Sequence, residues 1–468
     1  MKKGDIIEVS IDSIAFGGQG VAKYAIDDRD FTIFVDDAVP GDIVRARIGG
    51  RKRKFAYARI EEFLEKSPKR VDPRCKHFGE SGDNCGGCSL QRLSYEDQLK
   101  LKEQHVRDAI ERLGGLDGSV VQPAVGCDYP WFYRNKMELS FDVDREGVLY
   151  SCLHVLWSCY DLVKMDECFL FALYLGNFVS DMRTFFEGTD YREESSEPTL
   201  KSLVIREGKN TGEILVNLIV ENGEATFLDG FVEAVRESLA GENVQSIYYT
   251  HVLNKKGQRK QLTETLLWGK ETIVDKILID VGGRKHELAF EISPQAFFQP
   301  NTLQAQKLFG LAIEAAGLSG EEVLYDLYCG AGTIALACAP FAKKVYGIEL
   351  NEPALLNARA NAERNGIANA AFEVGDVAKE LPNIEEAADV VIVDPPRSGL
   401  HESVIEHIGQ MKPRRVVYVS CNPTTLARDL SIFTKTGYTL EKVQPVDVSR
   451  LTYHIEIVAT LHLNEEQL

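Results

Sequence analysis

Late in this sequence, short aliphatic runs are each cut off by a residue that can do chemistry. Val323–Leu327 runs into Tyr328-Cys329-Gly330-Ala331-Gly332-Thr333, and Lys344–Ile348 ends in Glu349. Val390–Val393 ends in Asp394-Pro395-Pro396-Arg397, and Val416–Val419 ends in Ser420-Cys421-Asn422-Pro423. Helix-compatible stretches such as 334–342 lie between them. Strands alternating with helices mark a doubly wound α/β domain, expected here from about residue 291 to 468. In an open α/β sheet, ligands bind at the carboxyl ends of the strands. A free cysteine is usually a small buried hydrophobe. Cys421 differs because the Asn and Pro that follow it stop the strand and turn the backbone.

A chain of 468 residues is too long for one core. Residues 4–62 read as about five short strands broken by turns such as Gly17-Gly18-Gln19-Gly20, with Ile7, Val9 and Ile11 alternating. That pattern predicts a small β-barrel over 1–65, of the OB-like kind that binds oligonucleotides. Ser67-Pro68-Lys69-Arg70 and Asp72-Pro73 serve as a linker. A mixed α+β central domain is expected over 70–290. It opens with a cysteine-bearing stretch, 75–90, and a helix over Ser94–Leu113 whose Tyr95, Leu99, Val106, Ile110 and Leu113 share a face. The rest of that domain is strand-rich, with turns such as Glu221-Asn222-Gly223.

Charge narrows the partners. The net charge of −18 excludes indiscriminate nucleic-acid binding by the whole surface, yet residues 45–74 hold eleven Lys/Arg against four Asp/Glu. A basic stretch containing Arg51-Lys52-Arg53-Lys54 suits local phosphate contacts, although a solvated charged loop has the same composition. No apolar run reaches membrane-span length and the first residues carry no signal-peptide core, so a cytoplasmic, membrane-free, monomeric protein is the expectation. Ten cysteines then point to metal or catalytic roles rather than to disulfides.

The turn after Val323–Leu327 is suited to a nucleoside cofactor. Gly330 and Gly332 let the backbone approach a ligand and let the next helix pack closely, with Tyr328 and Thr333 flanking them. Glu349, seventeen residues after Gly332, is placed to accept from a ribose diol. Two further carboxylates favour S-adenosylmethionine over a dinucleotide. Asp326 would meet a cationic amino group and repel a pyrophosphate, and Asp376 closes the third strand where an adenine edge would lie. Either could instead cap a helix.

Taken together, Asp394-Pro-Pro-Arg397, Ser420-Cys-Asn-Pro423 and His454-Ile455-Glu456 stand in the order found in the RNA 5-methyluridine methyltransferase family. Phe297-Phe298-Gln299-Pro300-Asn301 and Tyr133-Arg134-Asn135-Lys136-Met137 resemble two further signatures, and the N-terminal barrel resembles that family's TRAM domain. The resemblance implies an S-adenosylmethionine-dependent RNA uracil-C5-methyltransferase with Cys421 as nucleophile and Glu456 as base. It places Tyr328, Gly330, Gly332, Thr333, Glu349 and Asp376 around the cofactor. Asp394 would lie between cofactor and base or on the uracil edge, and Gln299 would contact cofactor or substrate. Aromatic residues near Phe297 could stack on a flipped base or belong to the core. One stretch departs from the family: Ser449-Arg450-Leu451-Thr452-Tyr453 lacks the usual Phe-Pro-His before its Thr.

Cys85-Gly86-Gly87-Cys88 presents two thiols on a tight loop. With Cys75 and Cys168 the resemblance implies a [4Fe–4S] cluster, Cys152 and Cys159 being alternative fourth ligands; four soft ligands also suit zinc. Nine residues separate Cys75 from Cys85, longer than the family spacing, and Ser81-Gly82-Asp83-Asn84 is a loop-like insertion. The barrel and the cysteines point to 23S ribosomal RNA as substrate, with transfer RNA as the alternative. From another class, a non-catalytic RNA-binding or iron–sulfur protein with a degenerate methyltransferase domain has only the altered 449–451 stretch in its favour.

Overall fold

The computed structural model describes residues 1–26, 29–78, 84–129, 131–143, 146, 148–156, 158, 161–189, 199–221, 225–253, 260–384 and 386–464. Ser81-Gly82-Asp83, Cys159 and the Asn222-Gly223 turn lie outside these residues. Five strands close into a barrel in the order β1-β2-β3-β5-β4: β1 (Ile6–Ile14), β2 (Gly20–Ile26), β3 (Arg29–Asp36), β4 (Ile43–Arg51) and β5 (Phe55–Glu65). The alternation read from the sequence is realised, with Ile7, Val9 and Ile11 inside and Glu8 and Ser10 outside. Two buried ion pairs seat the barrel on the rest of the chain. Arg70 grips Asp42 through Nε (2.9 Å) and Nη2 (2.8 Å), and Arg92 Nε donates to Asp37 Oδ1 (2.7 Å).

Helix α1 (Tyr95–Asp108) is capped by Ser94 Oγ, which accepts from Asp97 N (3.1 Å). It widens into a π-helical turn over Ala109–Leu113. Of the expected face, Val106 and Ile110 are fully buried and Tyr95 and Leu99 half-buried, whereas Leu113 at the end of that turn is 59% exposed; Gln98 and Lys102 join the buried stripe. Lys102 Nζ meets Asp447 Oδ1 at 2.6 Å with both side chains fully buried.

A seven-stranded sheet follows, in the order β12-β11-β10-β9-β6-β7-β8. Its strands are β6 (Lys136–Val143), β7 (Leu149–His154), β8 (Leu162–Lys164), β9 (Thr199–Glu207), β10 (Glu213–Glu221), β11 (Asn243–Leu253) and β12 (Gln261–Gly269). Helices α2 (Leu175–Glu187) and α3 (Leu228–Ser238) pack against it. Phe178, Met182 and Phe186, spaced one turn apart, form the buried face of α2. The hairpin of β13 (Ile273–Val281) and β14 (Arg284–Ile292) packs Ile277, Ile279 and Phe290 onto α4 (Thr302–Ala316).

The chain then alternates β15 (Val323–Leu327), α5 (Thr333–Cys338), β16 (Lys344–Glu349), α6 (Glu352–Arg364), β17 (Ala370–Val374) and α7 (Val377–Glu380). It continues through β18 (Val390–Val393), α8 (Glu402–Met411), β19 (Arg415–Ser420), α9 (Pro423–Phe433), β20 (Tyr438–Val446) and β21 (Glu456–Leu463). The sheet order is β17-β16-β15-β18-β19-β21-β20, with β15 to β19 parallel and β21 antiparallel to its neighbours. Every residue of β15 and β18 is buried, as helices on both faces require. The expected doubly wound α/β architecture is present. Among the described residues no helix is long and apolar enough to cross a membrane.

Lys102→Met should destabilise the protein by about 3–5 kcal/mol, because it leaves Asp447 buried without its cation. Lys100→Met, on the exposed face of the same helix, should leave the urea unfolding midpoint nearly unchanged.

Candidate active site

Cys421 stands where β19 leaves the sheet and α9 begins. Asn422 N donates to Ser420 Oγ (3.1 Å), Asn422 Oδ1 caps α9 by accepting from Thr424 N (3.0 Å), and Pro423 occupies the first turn. The half-buried thiol therefore lies beside the positive end of a helix. The Asp394 loop is laced to the same place. The Arg397 carbonyl accepts from Asn422 Nδ2 (3.0 Å) and from Thr425 Oγ1 (3.2 Å), and Asp394 N donates to Leu327 O (3.3 Å).

Glu456 arrives by a different route. Antiparallel pairing of β21 with β19 sets Ile457 opposite Ser420, so Cys421 and Glu456 stand one step beyond that pair. Burial pushes the Glu456 carboxyl up to about 8, with Asp394 adding to the rise and Arg397 opposing it. Burial alone takes Asp394 to about 7. The Cys421 thiol is pushed up by burial, then by Glu456 and Asp394, again against Arg397. His454 is driven down to about 4 by burial and by Arg397, so its imidazole is neutral. The site thus brings together the three groups that the sequence singled out, and poises two carboxyls near neutrality.

The glycine turn after β15 is tightly folded. Tyr328 (φ 66°), Gly330 (φ 55°) and Gly332 (φ 75°) fold the backbone over the end of β15. Tyr328 N and Cys329 N both donate to Ile348 O (2.9 and 3.2 Å), while Gly330 N donates to Glu349 Oε2 (3.1 Å). A Cβ on Gly332 would lie 2.9 Å from Ala358 Cβ and the Phe372 ring, so only glycine lets α5, opening at Thr333, come this close. Asp326 is fully buried; Oδ2 accepts from Ala335 N (2.8 Å) and Oδ1 has no partner. Burial and nearby Asp394 push this carboxyl well above its ordinary range. A buried, half-satisfied carboxylate beside a glycine turn is suited to receive a cation. Asp376 caps α7, accepting from Ala378 N at Oδ1 (3.1 Å), which is the capping role weighed against adenine contact.

The two further signatures meet in space. Asn135 Nδ2 donates to Gln299 O (2.6 Å), Asn135 N donates to Pro300 O (2.9 Å), and Asn301 Nδ2 donates to Val448 O (3.0 Å). The Tyr133–Met137 segment thereby fixes the backbone of the loop bearing Gln299. Phe297 is 75% exposed on that loop, whereas Phe298 packs against Phe290 in the core. The exposed ring alone is free to stack on a base.

Cys75, Cys85, Cys88 and Cys168 line one small, mostly apolar pocket with Trp131 and Leu170. Cys152 is elsewhere, buried in β7 with Sγ donating to Ser140 O (3.3 Å). Burial raises all four pocket thiols, Cys85 to about 11, so they remain protonated where no cation is present. Among the described residues, no group of three or more His, Cys, Asp or Glu side chains is drawn together tightly enough to hold a metal ion. Arg51–Lys54 form the exposed tip between β4 and β5, beside the mutually packed rings of Phe34, Phe55 and Tyr57. Sequence reasoning missed Lys102 and Asp447. The available signal was a lysine at the fourth position between Gln98 and Val106 on an amphipathic stripe.

The model of the tRNA (uracil-5-)-methyltransferase family matches residues 257–464. An uncharacterized RNA methyltransferase of Halalkalibacterium halodurans is 38% identical, over 99% of this chain and 98% of its own. A Listeria monocytogenes relative, also described as an uncharacterized RNA methyltransferase, is 38% identical over 99% of each chain. The crystal structure of Pyrococcus abyssi tRNA (uracil-54, C5)-methyltransferase in complex with S-adenosyl-L-homocysteine superposes with a TM-score of 0.72 at 27% identity, covering 97% of this chain and 100% of that one.

The electrostatics predict that the pH profile for alkylation of Cys421 moves to lower pH in Glu456→Gln, since a neutral amide no longer opposes the thiolate. Iodoacetamide rates measured across pH 6–10 on both proteins check this.

Proposed function

The chain belongs to the RNA uracil-5-methyltransferase family and is S-adenosylmethionine-dependent; on that premise we propose that it methylates carbon 5 of one uridine in 23S ribosomal RNA through a covalent Cys421–uracil adduct. The observation that carries this reading is the placing of the Cys421 thiol, the Asp394 carboxyl and the Glu456 carboxyl together at the strand ends, next to the glycine turn. Carbon 5 of uracil is too weak a nucleophile to take a methyl group unaided. Addition of the Cys421 thiolate to carbon 6 makes an enolate and so activates carbon 5. The sulfonium cofactor supplies an electrophilic methyl group. Glu456, poised near neutrality, then takes the proton from carbon 5, the C5–H electron pair restores the ring double bond, and the C6–S bond breaks. Asp394 borders this exchange between cofactor and base.

The unpartnered Asp326 oxygen supports a cationic ligand, and the bond between Gly330 N and Glu349 supports a ribose held beyond the turn. The exposed Arg51–Lys54 tip supports contact with RNA phosphates by a TRAM-type barrel. Phe297 is the candidate stacking partner of a flipped base. Four thiols on one mostly apolar pocket, which His77 and Glu167 also line, support a [4Fe–4S] centre held by Cys75, Cys85, Cys88 and Cys168 once the thiols draw together around it. Such a centre would tie residues 75–88 to residue 168 as a structural staple. Transfer RNA is the second reading, favoured because the Pyrococcus abyssi neighbour is a tRNA enzyme.

Cys421→Ala should abolish both methylation and adduct, whereas Glu456→Gln should retain the adduct. Normal methylation by a variant lacking the thiol would overturn the mechanism. Mapping 5-methyluridine in ribosomal and transfer RNA, with and without the protein, decides the substrate. Anaerobically purified protein should show a broad absorption band near roughly 400 nm; bound zinc without that band would reverse the cluster assignment.

A further inference from the structure

We propose that Leu451, in the stretch that departs from the family pattern, is a positioning residue for Glu456. It docks the loop between β20 and β21 onto the segment following Cys88, and so serves the proton-removal step but not the attack of the thiol. The inference rests on the covalent-adduct reading above.

The loop over 447–455 ends at Glu456, and its contacts come largely from residues 78–170. Leu451 O accepts from both Ser89 N (2.8 Å) and Leu90 N (2.9 Å). Leu451 N donates to Gln98 Oε1 (3.3 Å), and Tyr453 N donates to Ser89 Oγ (3.0 Å). Tyr133 OH donates to Arg450 O (2.8 Å), while the Arg450 guanidinium lies 3.6 Å from the centre of the Tyr95 ring. Only the side chain of Leu451 is buried among Phe78, Cys88, Tyr133 and Leu170. Its backbone is left-handed (φ 65°), a conformation that a bulky residue keeps only when surroundings impose it.

Cys421 is held by other means. Its position follows from β19, the Asn422 cap and the Arg397 carbonyl, none of which touches Ser89, Leu90 or Leu451. The nucleophile and the base share the β19–β21 register, but the loop leading into Glu456 is in addition docked on Ser89, Leu90 and Gln98. Loosening that docking should slow one half of the reaction. Ground-state docking through Leu451 matters after methyl transfer, when Glu456 must reach the carbon 5 proton and the C6–S bond must break.

The test uses full-length protein, total RNA from cells lacking it, and a donor labelled in the methyl group. Label retained on the protein in a denaturing gel reports the methylated adduct. Glu456→Gln is the reference that should accumulate label. Leu451→Ala should give a first-turnover burst like the wild type, turn over about tenfold more slowly, and accumulate the same labelled adduct. Leu451→Met, which refills the site with a flexible side chain, should restore turnover. A Leu451→Ala protein that loses burst and turnover in equal proportion, or that turns over normally, would overturn the proposal. If Leu451→Ala has no folded transition, Ser89→Ala, which removes only the acceptor for Tyr453 N, carries the same expectations and the same refutation. If Glu456→Gln itself accumulates no label, the assignment of the base fails and this inference fails with it. If Glu456→Gln accumulates label and Leu451→Ala does not, only the positioning role is lost.

Discussion

Parallel strands connected by helices must all point the same way, so whatever follows each strand collects along one edge of the sheet. In this molecule that edge receives Asp326, Glu349, Asp394 and Cys421 from four consecutive parallel strands or the turns after them. Burial raises the Asp326 and Asp394 carboxyls and the Cys421 thiol, with repulsion from neighbouring carboxyls adding to the rise at Asp326 and Cys421. Arg397 is the one nearby cation opposing the rise at both Cys421 and Glu456. The crowding costs stability in the free protein and favours a cationic ligand, which a sulfonium provides. The antiparallel β21 brings Glu456 in from the far side of the same edge, next to the thiol.

What was legible in the sequence was what is local. A thiol after an aliphatic strand, glycines before a helix and alternating residues in a barrel each need only a few neighbouring positions to be recognised. Cys421, Asp394, Gly330 and Gly332 therefore fell where expected. Contacts between distant segments left weaker traces. Lysine is ordinarily an exposed residue, so its spacing from Gln98 and Val106 was a weak trace that Lys102 would lie fully buried against Asp447. The π-helical turn that ends at an exposed Leu113 has no obvious sequence marker, so that end of the expected apolar face was misplaced while Val106 and Ile110 were not. Phe297 and Phe298 are adjacent and chemically identical, yet only packing against Phe290 separates a core ring from an exposed one.

The departure from the family pattern at 449–451 reads differently once packing is known. A Phe-Pro-His segment would stiffen a loop from within, through proline's fixed dihedral. Here the loop is held from outside, through hydrogen bonds donated by Ser89, Leu90 and Tyr133, one accepted by Gln98, and the burial of Leu451. The barrel joins the same arrangement, because Phe16 in the β1–β2 turn packs edge-on against Tyr453 (5.4 Å). The loop that leads into Glu456 is thus held by neighbouring segments rather than by its own residues.

The pair formed by Lys102 and Asp447 has a consequence for how the molecule is made. The two residues are 345 positions apart. A ribosome adding about 5–20 residues per second needs roughly 20–70 s to reach the second after placing the first. During that interval the barrel and the central sheet have time to fold as units, while Lys102 has no Asp447 to meet. The Lys102–Asp447 pair can form only after the segment around Asp447 has left the exit tunnel. Emergence of the segment around Asp447, rather than collapse of any earlier domain, then sets the moment at which Lys102 gains its partner.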